Sequence, residues 1–176
     1  MTQTQKQKEI PAISEASRKD LTSLRDMSQA MRQSKDPDYF EQQLTYVEEG
    51  ARAVLIASMD GVDAGYCILN WQPKYGFFKA NNIPEIQDLN VLRDFRRRGI
   101  ATHIIGRCEA MAVKKGYGTM GISFGLDASY GAAQRLYVKL GYIPDGHGVT
   151  YDRRAVPFGE FKPVDDQLCL MMVKIL

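Results

Sequence analysis

Three consecutive arginines followed by a glycine, Arg96-Arg97-Arg98-Gly99-Ile100-Ala101, form the segment whose residue types and spacing point most directly to chemistry. Glu85 to Val91 reads as a strand, and the apolar spacing of Ile100, Ile104, Ile105, Cys108, Met111 and Ala112 predicts a helix over Gly99 to Lys115. A strand, a turn and a helix start bring unpaired N–H groups and the positive end of a helix dipole to one point, which makes an anion site. Cations are unfavourable at that end of a helix, so a merely solvated basic run leaves the three arginines unexplained. Gly99 lets the main chain approach a phosphate, Ala101 is too small to block it, and the arginines add charge for a further phosphate at the ligand's edge. Neither GxxxxGK[ST] nor the GxGxxG of dinucleotide folds is present.

The elements that must hold this turn are also readable. Ile10 to Ile13 reads as a short strand that Pro11 confines to an edge. Leu21, Leu24, Met27, Ala30 and Met31 recur at helical spacing behind a Ser17 and Asp20 cap, and Asp36-Pro37 opens a second helix carrying Phe40, Leu44 and Val47, which Gly50 ends. Arg52 to Met59 and Ala64 to Trp71 pair as a hairpin about Asp60-Gly61. Gln72 to Pro84 reads as a loop, Gly118 to Phe124 as a strand, Tyr130 to Leu140 as a helix closed by Gly141, and Leu168 to Ile175 as a last strand. The stretch from Gly146 to Asp166 reads as a functional loop or an extended hairpin arm. This order describes an α+β domain around a mixed sheet.

Composition bounds the rest. A chain of 176 residues, 44% hydrophobic and 25% charged, suits one globular domain spanning 1–176, with residues 1–8 expected to be frayed. Its 23 Lys and Arg against 21 Asp and Glu leave +2, and the basic residues form no stripe with interleaved aromatics, so neither nucleic acid nor a membrane surface is expected as partner. Cys67, Cys108 and Cys169 are dispersed, without CxxC spacing, which speaks against a disulfide framework or zinc and for reduced thiols in a cytoplasmic protein. His103 and His147 have no ligand partner at metal spacing, so no metal is expected. The start of the chain is polar where a secretory leader is apolar, and no run of about 20 apolar residues occurs, so a cytoplasmic location is expected.

The segment Asp88-Leu89-Asn90-Val91-Leu92-Arg93-Asp94-Phe95-Arg96-Arg97-Arg98-Gly99-Ile100-Ala101 resembles the central motif of the GNAT (Gcn5-related) N-acetyltransferase superfamily, a strand followed by [QR]-x-x-G-x-[GA] opening a helix. A second match, Ala133-Gln134-Arg135-Leu136-Tyr137-Val138-Lys139-Leu140-Gly141-Tyr142, is similar to the family's A-x-x-L-Y-x-K-L-G-[FY], and together they cover about Glu85 to Ile143. The resemblance implies a mostly antiparallel mixed sheet, splayed at the cofactor site and flanked by about four helices. It implies an enzyme without metal in which an amine attacks acetyl-CoA directly.

Carried over residue by residue, the main chain of Leu89 and Val91 would pair with the cofactor, the N–H near Val91 serving as oxyanion donor. Arg96, Arg97, Arg98, Gly99, Ile100, Ala101 and Thr102 would hold its phosphates. Tyr137 would sit near the sulfur as general acid; without the family it reads as a helix aromatic packed beside Leu136 and Leu140. Glu85 and Asp88 are the candidate bases, placed on opposite faces by period two. Glu85 shares a face with Gln87 and could act through a water, while Asp88 could be structural.

This sequence has Gln87 where some amine acetylases carry glutamate, and Tyr130 where relatives often carry asparagine to bind pantetheine. The expected acceptor is a primary amine of a small molecule, with Trp71, Tyr75, Phe77 and Phe78 as candidate pocket walls or ordinary packing. The alternatives are a protein N-terminus or lysine as acceptor, or a catalytically weak CoA-binding regulator. Homodimers are frequent among relatives.

Overall fold

The computed structural model describes residues 9–176; the fraying expected for residues 1–8 lies outside the described residues. In chain order the elements are β1 (Ala12–Glu15), α1 (Leu21–Ala30), α2 (Tyr39–Glu48), β2 (Arg52–Met59), β3 (Val62–Asn70), α3 (Gly76–Ala80), β4 (Glu85–Val91), α4 (Ile100–Lys114), β5 (Thr119–Gly125), α5 (Gly131–Lys139), β6 (Ile143–Tyr151), β7 (Arg154–Ala155) and β8 (Leu168–Ile175). The strands form one sheet in the order β1-β2-β3-β4-β5-β8-β6-β7, antiparallel throughout except between β4 and β5. This is the mixed, mostly antiparallel sheet expected, with five α-helices among the described residues where about four were expected.

Alternation along β2 and β3 splits the core between the two faces of the sheet. On one face Ile100, Ile104, Ile105, Cys108 and Ala112 of α4 and Tyr137 of α5 pack on Leu55, Cys67, Leu69, Ile86 and Ile122. On the other, Leu24 and Met27 of α1 and Phe40 and Leu44 of α2 pack on Val54, Ile56, Tyr66 and Ile68. The cap before α1 forms as its residue types suggest: the Asp20 carboxylate accepts from the Ser17 N–H at 2.8 Å and from its hydroxyl at 3.1 Å. Asp60 and Gly61 turn the β2–β3 hairpin with φ of 55° and 74°, the positive values a tight two-residue turn needs.

The first strand keeps its expected edge position but runs over Ala12–Glu15 where Ile10 to Ile13 was expected, and one helix was not expected at all. Inside the expected loop Gln72 to Pro84, α3 forms because Phe78 is fully buried with Tyr75, Ile83 and Met171, its ring lying where a Cβ on Gly121 would come within 2.3 Å. Of the two readings of Gly146 to Asp166, the hairpin arm forms as far as Ala155: β6 and the two-residue β7 pair about the turn Asp152-Arg153, which also has positive φ (48° and 62°), and residues 156–167 lie outside any strand. Among the described residues no helix is long and apolar enough to cross a membrane.

Candidate active site

The sheet opens where its one parallel pair runs out. β4 and β5 share only the pairs Glu85↔Gly121 and Ile86↔Ile122, after which β5 continues against β8 and β4 against β3 alone. Tyr66 of β3 faces Asn90 and Ile68 faces Gln87, so Cys67 alone spans Asp88 and Leu89, and β4 bulges there with Asp88 at φ 48°. Leu92 N–H donates to Ala64 O at 2.8 Å and Asn90 pairs with Tyr66. By the alternation of an antiparallel ladder, the N–H and C=O groups of Leu89 and Val91 therefore face the gap. Arg96 Nε donates to Val91 O at 3.1 Å across its far end.

A cavity of about 580 Å³ fills this gap and reaches both faces of the sheet. Leu89, Phe124 and Tyr137 line it on the α4 and α5 face. Gln87, Asp88, Asn90 and Ser123 line it on the α1 and α2 face, together with Arg32 to Lys35 and Tyr39 from the connection between those helices and Arg153 from the β6–β7 turn. Period two alone would separate Glu85 from Asp88, but the bulge inserts one residue and returns Asp88 to the face of Glu85 and Gln87. The opposite-face expectation is thereby corrected.

Both carboxylates have partners. Asp88 accepts from Lys35 Nζ, Tyr39 OH and Asn90 Nδ2, each at 2.8 Å, and more distantly from Tyr66 OH at 3.4 Å. Glu85 is wholly buried and lies outside the cavity lining; Gln87 Nε2 donates to it at 2.7 Å and Ser123 Oγ at 3.4 Å, and Arg153 forms an ion pair with it at 3.0 Å. Burial pushes the Glu85 carboxyl above its ordinary range, against the Arg153 charge and the two neutral donors. Above pH 4.5, the ordinary glutamate value, the native state thus keeps a proton that the unfolded chain has released. The stability tied to that proton is complete below 4.5 and lost as pH rises through the folded value. Urea unfolding of wild type and Glu85→Gln should therefore diverge, the wild type losing stability with rising pH relative to the variant. Parallel profiles would show that Glu85 binds its proton alike in the folded and unfolded chain.

On the opposite face Tyr137 is 6% exposed, and its hydroxyl makes no hydrogen bond among the described residues. Burial, with Cys67 nearby, pushes its phenol up to about 12, so it carries its proton at neutral pH. Phe124 and Tyr142 hold its ring, each at 6.3 Å between centroids.

At the end of β4, Gly99 caps α4 with φ 88° and Arg97 precedes it at 62°. The first helical bond runs from His103 N to Gly99 O (3.1 Å), leaving the N–H groups of Ile100, Ala101 and Thr102 without an acceptor among the described residues. His103 Nδ1 also contacts Gly99 O at 2.9 Å. Arg97 is exposed at the turn. Arg98 turns back to Asp60 at 2.7 Å and Glu9 at 3.7 Å, and stacks on Phe95.

Tyr130 occupies the cavity wall where a pantetheine contact was in question; its OH donates to Asp166 at 3.0 Å and its ring fills the space a Cβ on Gly125 would need. The aromatics considered as pocket walls sit elsewhere: Trp71 and Phe78 border a separate cavity of about 440 Å³, and Tyr75 and Phe77 line neither. His147 packs on Phe77 at 4.2 Å. Among the described residues no His, Cys, Asp and Glu cluster suits a metal ion. Sequence reasoning singled out neither Arg153 nor the residues from Arg32 to Tyr39: the arm carrying the first was read as functional without a residue being named, and the second join two helices read only for their packing faces.

No curated protein matches the sequence significantly. Several solved structures share the fold. A ribosomal-protein-alanine N-acetyltransferase from Brucella melitensis superposes with a TM-score of 0.68 at 19% identity, over 94% of this chain and 99% of that one. Ard1 from Thermoplasma volcanium gives 0.69 at 15% identity, over 94% and 97%. yncA, a putative acetyltransferase from Salmonella typhimurium solved with acetyl-CoA, gives 0.66 at 17% identity, over 94% of both chains. The Acetyltransferase (GNAT) family matches residues 18–142, well over half the sequence, and includes the β4 edge, the Gly99 turn and Tyr137. The chain therefore belongs to the acetyltransferase (GNAT) family.

Proposed function

We propose that this acetyltransferase transfers acetyl from acetyl-CoA to a primary amine of a small molecule, by direct attack in a ternary complex, with residues 1–176 acting as one catalytic domain in the cytoplasm. The observation that carries this reading is a gap through the sheet with an apolar and aromatic wall on one face and a charged wall on the other. The unpaired N–H groups at the start of α4 and the open edge of β4 suit a long ligand bearing phosphates at one end and amide groups along its arm. Gly99, Ile100, Ala101 and Thr102 bind the phosphates, with Arg96 and Arg97 beside them and Arg98 bracing the turn through Asp60. Leu89 and Val91 supply main-chain contacts.

Bound there, acetyl-CoA supplies an acetyl group activated as a thioester. Val91 N–H donates to the oxygen on which negative charge develops. Tyr137 holds a proton on its hydroxyl and gives it to the departing sulfur. Asp88, lining the charged face, attracts the incoming ammonium and takes the proton it loses before attack, passing it to solvent. The second proton the nitrogen sheds on becoming an amide replaces the one Tyr137 gave to the sulfur, and Glu85 beneath the cavity holds Arg153 in place.

A second reading, acetylation of a protein N-terminus, is favoured by Phe158, Phe161 and Val164, which stand exposed on the segment leading to the cavity residue Asp166. Release of free CoA thiol from acetyl-CoA, followed over matched panels of small amines and peptides, separates the readings. Small primary amines are expected to exceed peptides in kcat/KM by about tenfold or more, roughly 1.4 kcal/mol. The reverse order would replace the first reading by the second, and no release from any amine would remove both.

A further inference from the structure

Arg153 points from the β6–β7 turn into the charged side of the cavity, with its side chain 24% exposed. A guanidinium has five N–H donors. One amino group forms an ion pair with Glu85 Oε1 at 3.0 Å, and the other meets only Cys169 Sγ, at 4.0 Å. Most of its fork thus has no oxygen acceptor among the described residues, although three quarters of the side chain is withdrawn from water. The position is held at a cost. Asp152 and Arg153 adopt φ of 48° and 62° without a glycine, which keeps the turn aimed at the cavity. Arg32 and Lys35 line the same side, and Arg32 makes no ion pair among the described residues.

The cavity's carboxylates are differently placed. Asp88 accepts from Lys35, Tyr39 and Asn90, and Asp166 from Tyr130. Glu85, below the lining, meets the guanidinium through one oxygen and one amino group only. What the charged wall has left to offer a ligand is paired N–H donors on a cation, the geometry that fits a carboxylate.

We propose that Arg153 is the specificity residue for the acceptor, and that the acceptor is a small amine carrying its own carboxylate, an amino acid or an ω-amino acid. This rests on the acetyl-transfer reading above. In a ternary complex the acceptor's carboxylate sits against the free side of the Arg153 fork, and its amine is directed towards Asp88 and the gap. A peptide N-terminus, whose first carboxylate has become an amide, loses that contact.

The test measures CoA release with a series of free α- and ω-amino acids of increasing length, and with the primary amide and methyl ester of each. For the best acid the wild type should favour the free carboxylate over its amide by about tenfold in kcat/KM, the value of one charge-assisted fork. Arg153→Gln should reduce that preference to within about twofold, the loss falling on KM for the acid. Because Arg153→Gln leaves a buried carboxyl alone, the Glu85→Gln/Arg153→Gln double variant repeats the measurement with a neutral pair and should show the same loss of preference. Amides and esters used as well as acids by the wild type, or a preference that survives both variants, would overturn the assignment of Arg153 while leaving acetyl transfer intact. No CoA release from any amine would remove acetyl transfer and this assignment together.

Discussion

Replacing Tyr137 by phenylalanine is expected to lower kcat by about 100-fold at saturating acetyl-CoA and amine, the lower end of what a positioned proton donor contributes. The substitution removes one oxygen and little else. The ring stays between Phe124 and Tyr142, and no protein partner of the hydroxyl is orphaned among the described residues. Stability and the dissociation constant for acetyl-CoA should therefore change little, and the loss should fall on kcat. The pH profile gives a second readout. With its phenol pushed up to about 12, Tyr137 stays protonated across the whole working range, so an alkaline fall in kcat below about pH 10 must come from another group. If Tyr137→Phe turned over like wild type at saturation, the leaving sulfur would depart without a proton from this residue, and Tyr137 would be a packing aromatic of the α5 and β5 interface.

Much of the fold and part of this site were legible because their signals are local. β2 and β8 have the bounds read from their apolar runs, and β4 those read between the loop ending at Pro84 and the arginine turn. The α4 start was legible for a related reason: glycine and the helical spacing behind it mark a cap whatever surrounds them. Features created by long-range packing were not. α3 exists because Phe78 enters a pocket vacated by Gly121, 43 residues downstream, and nothing near Gly76 announces it. β6 carries Asp145, Gly146, His147 and Gly148 on an exposed ribbon, where neither alternation nor apolar content marks a strand. The bulge at Asp88 had the largest effect on the site. An extra residue in one strand cannot be seen by period two, yet it decides which face the second carboxylate serves. Asp88 lines the cavity, whereas Glu85 lies buried below it against Arg153.

Gly99→Val is expected to raise the dissociation constant for CoA by about 30-fold, or roughly 2 kcal/mol. Space is not the obstacle, because a Cβ built at Gly99 would meet only the His103 ring, at 3.6 Å, an ordinary contact. The obstacle is the backbone, whose φ of 88° a β-branched residue avoids. Relief of that strain would rotate the peptide that starts α4 and turn the N–H groups of Ile100, Ala101 and Thr102 away from their common focus. Two comparisons separate this from general damage. Gly99→Asn, which tolerates the left-handed region better, should recover much of the affinity. Pantetheine, which lacks the phosphates, should bind variant and wild type alike if, as proposed, its contacts run along β4 and not at the helix start. Calorimetric titration of both ligands checks the pair of expectations. Equal CoA affinity in Gly99→Val and wild type would place the phosphates elsewhere, and the three arginines would then have to be explained by the contacts they make within the chain, of which Arg96 to Val91 and Arg98 to Asp60 are the strongest.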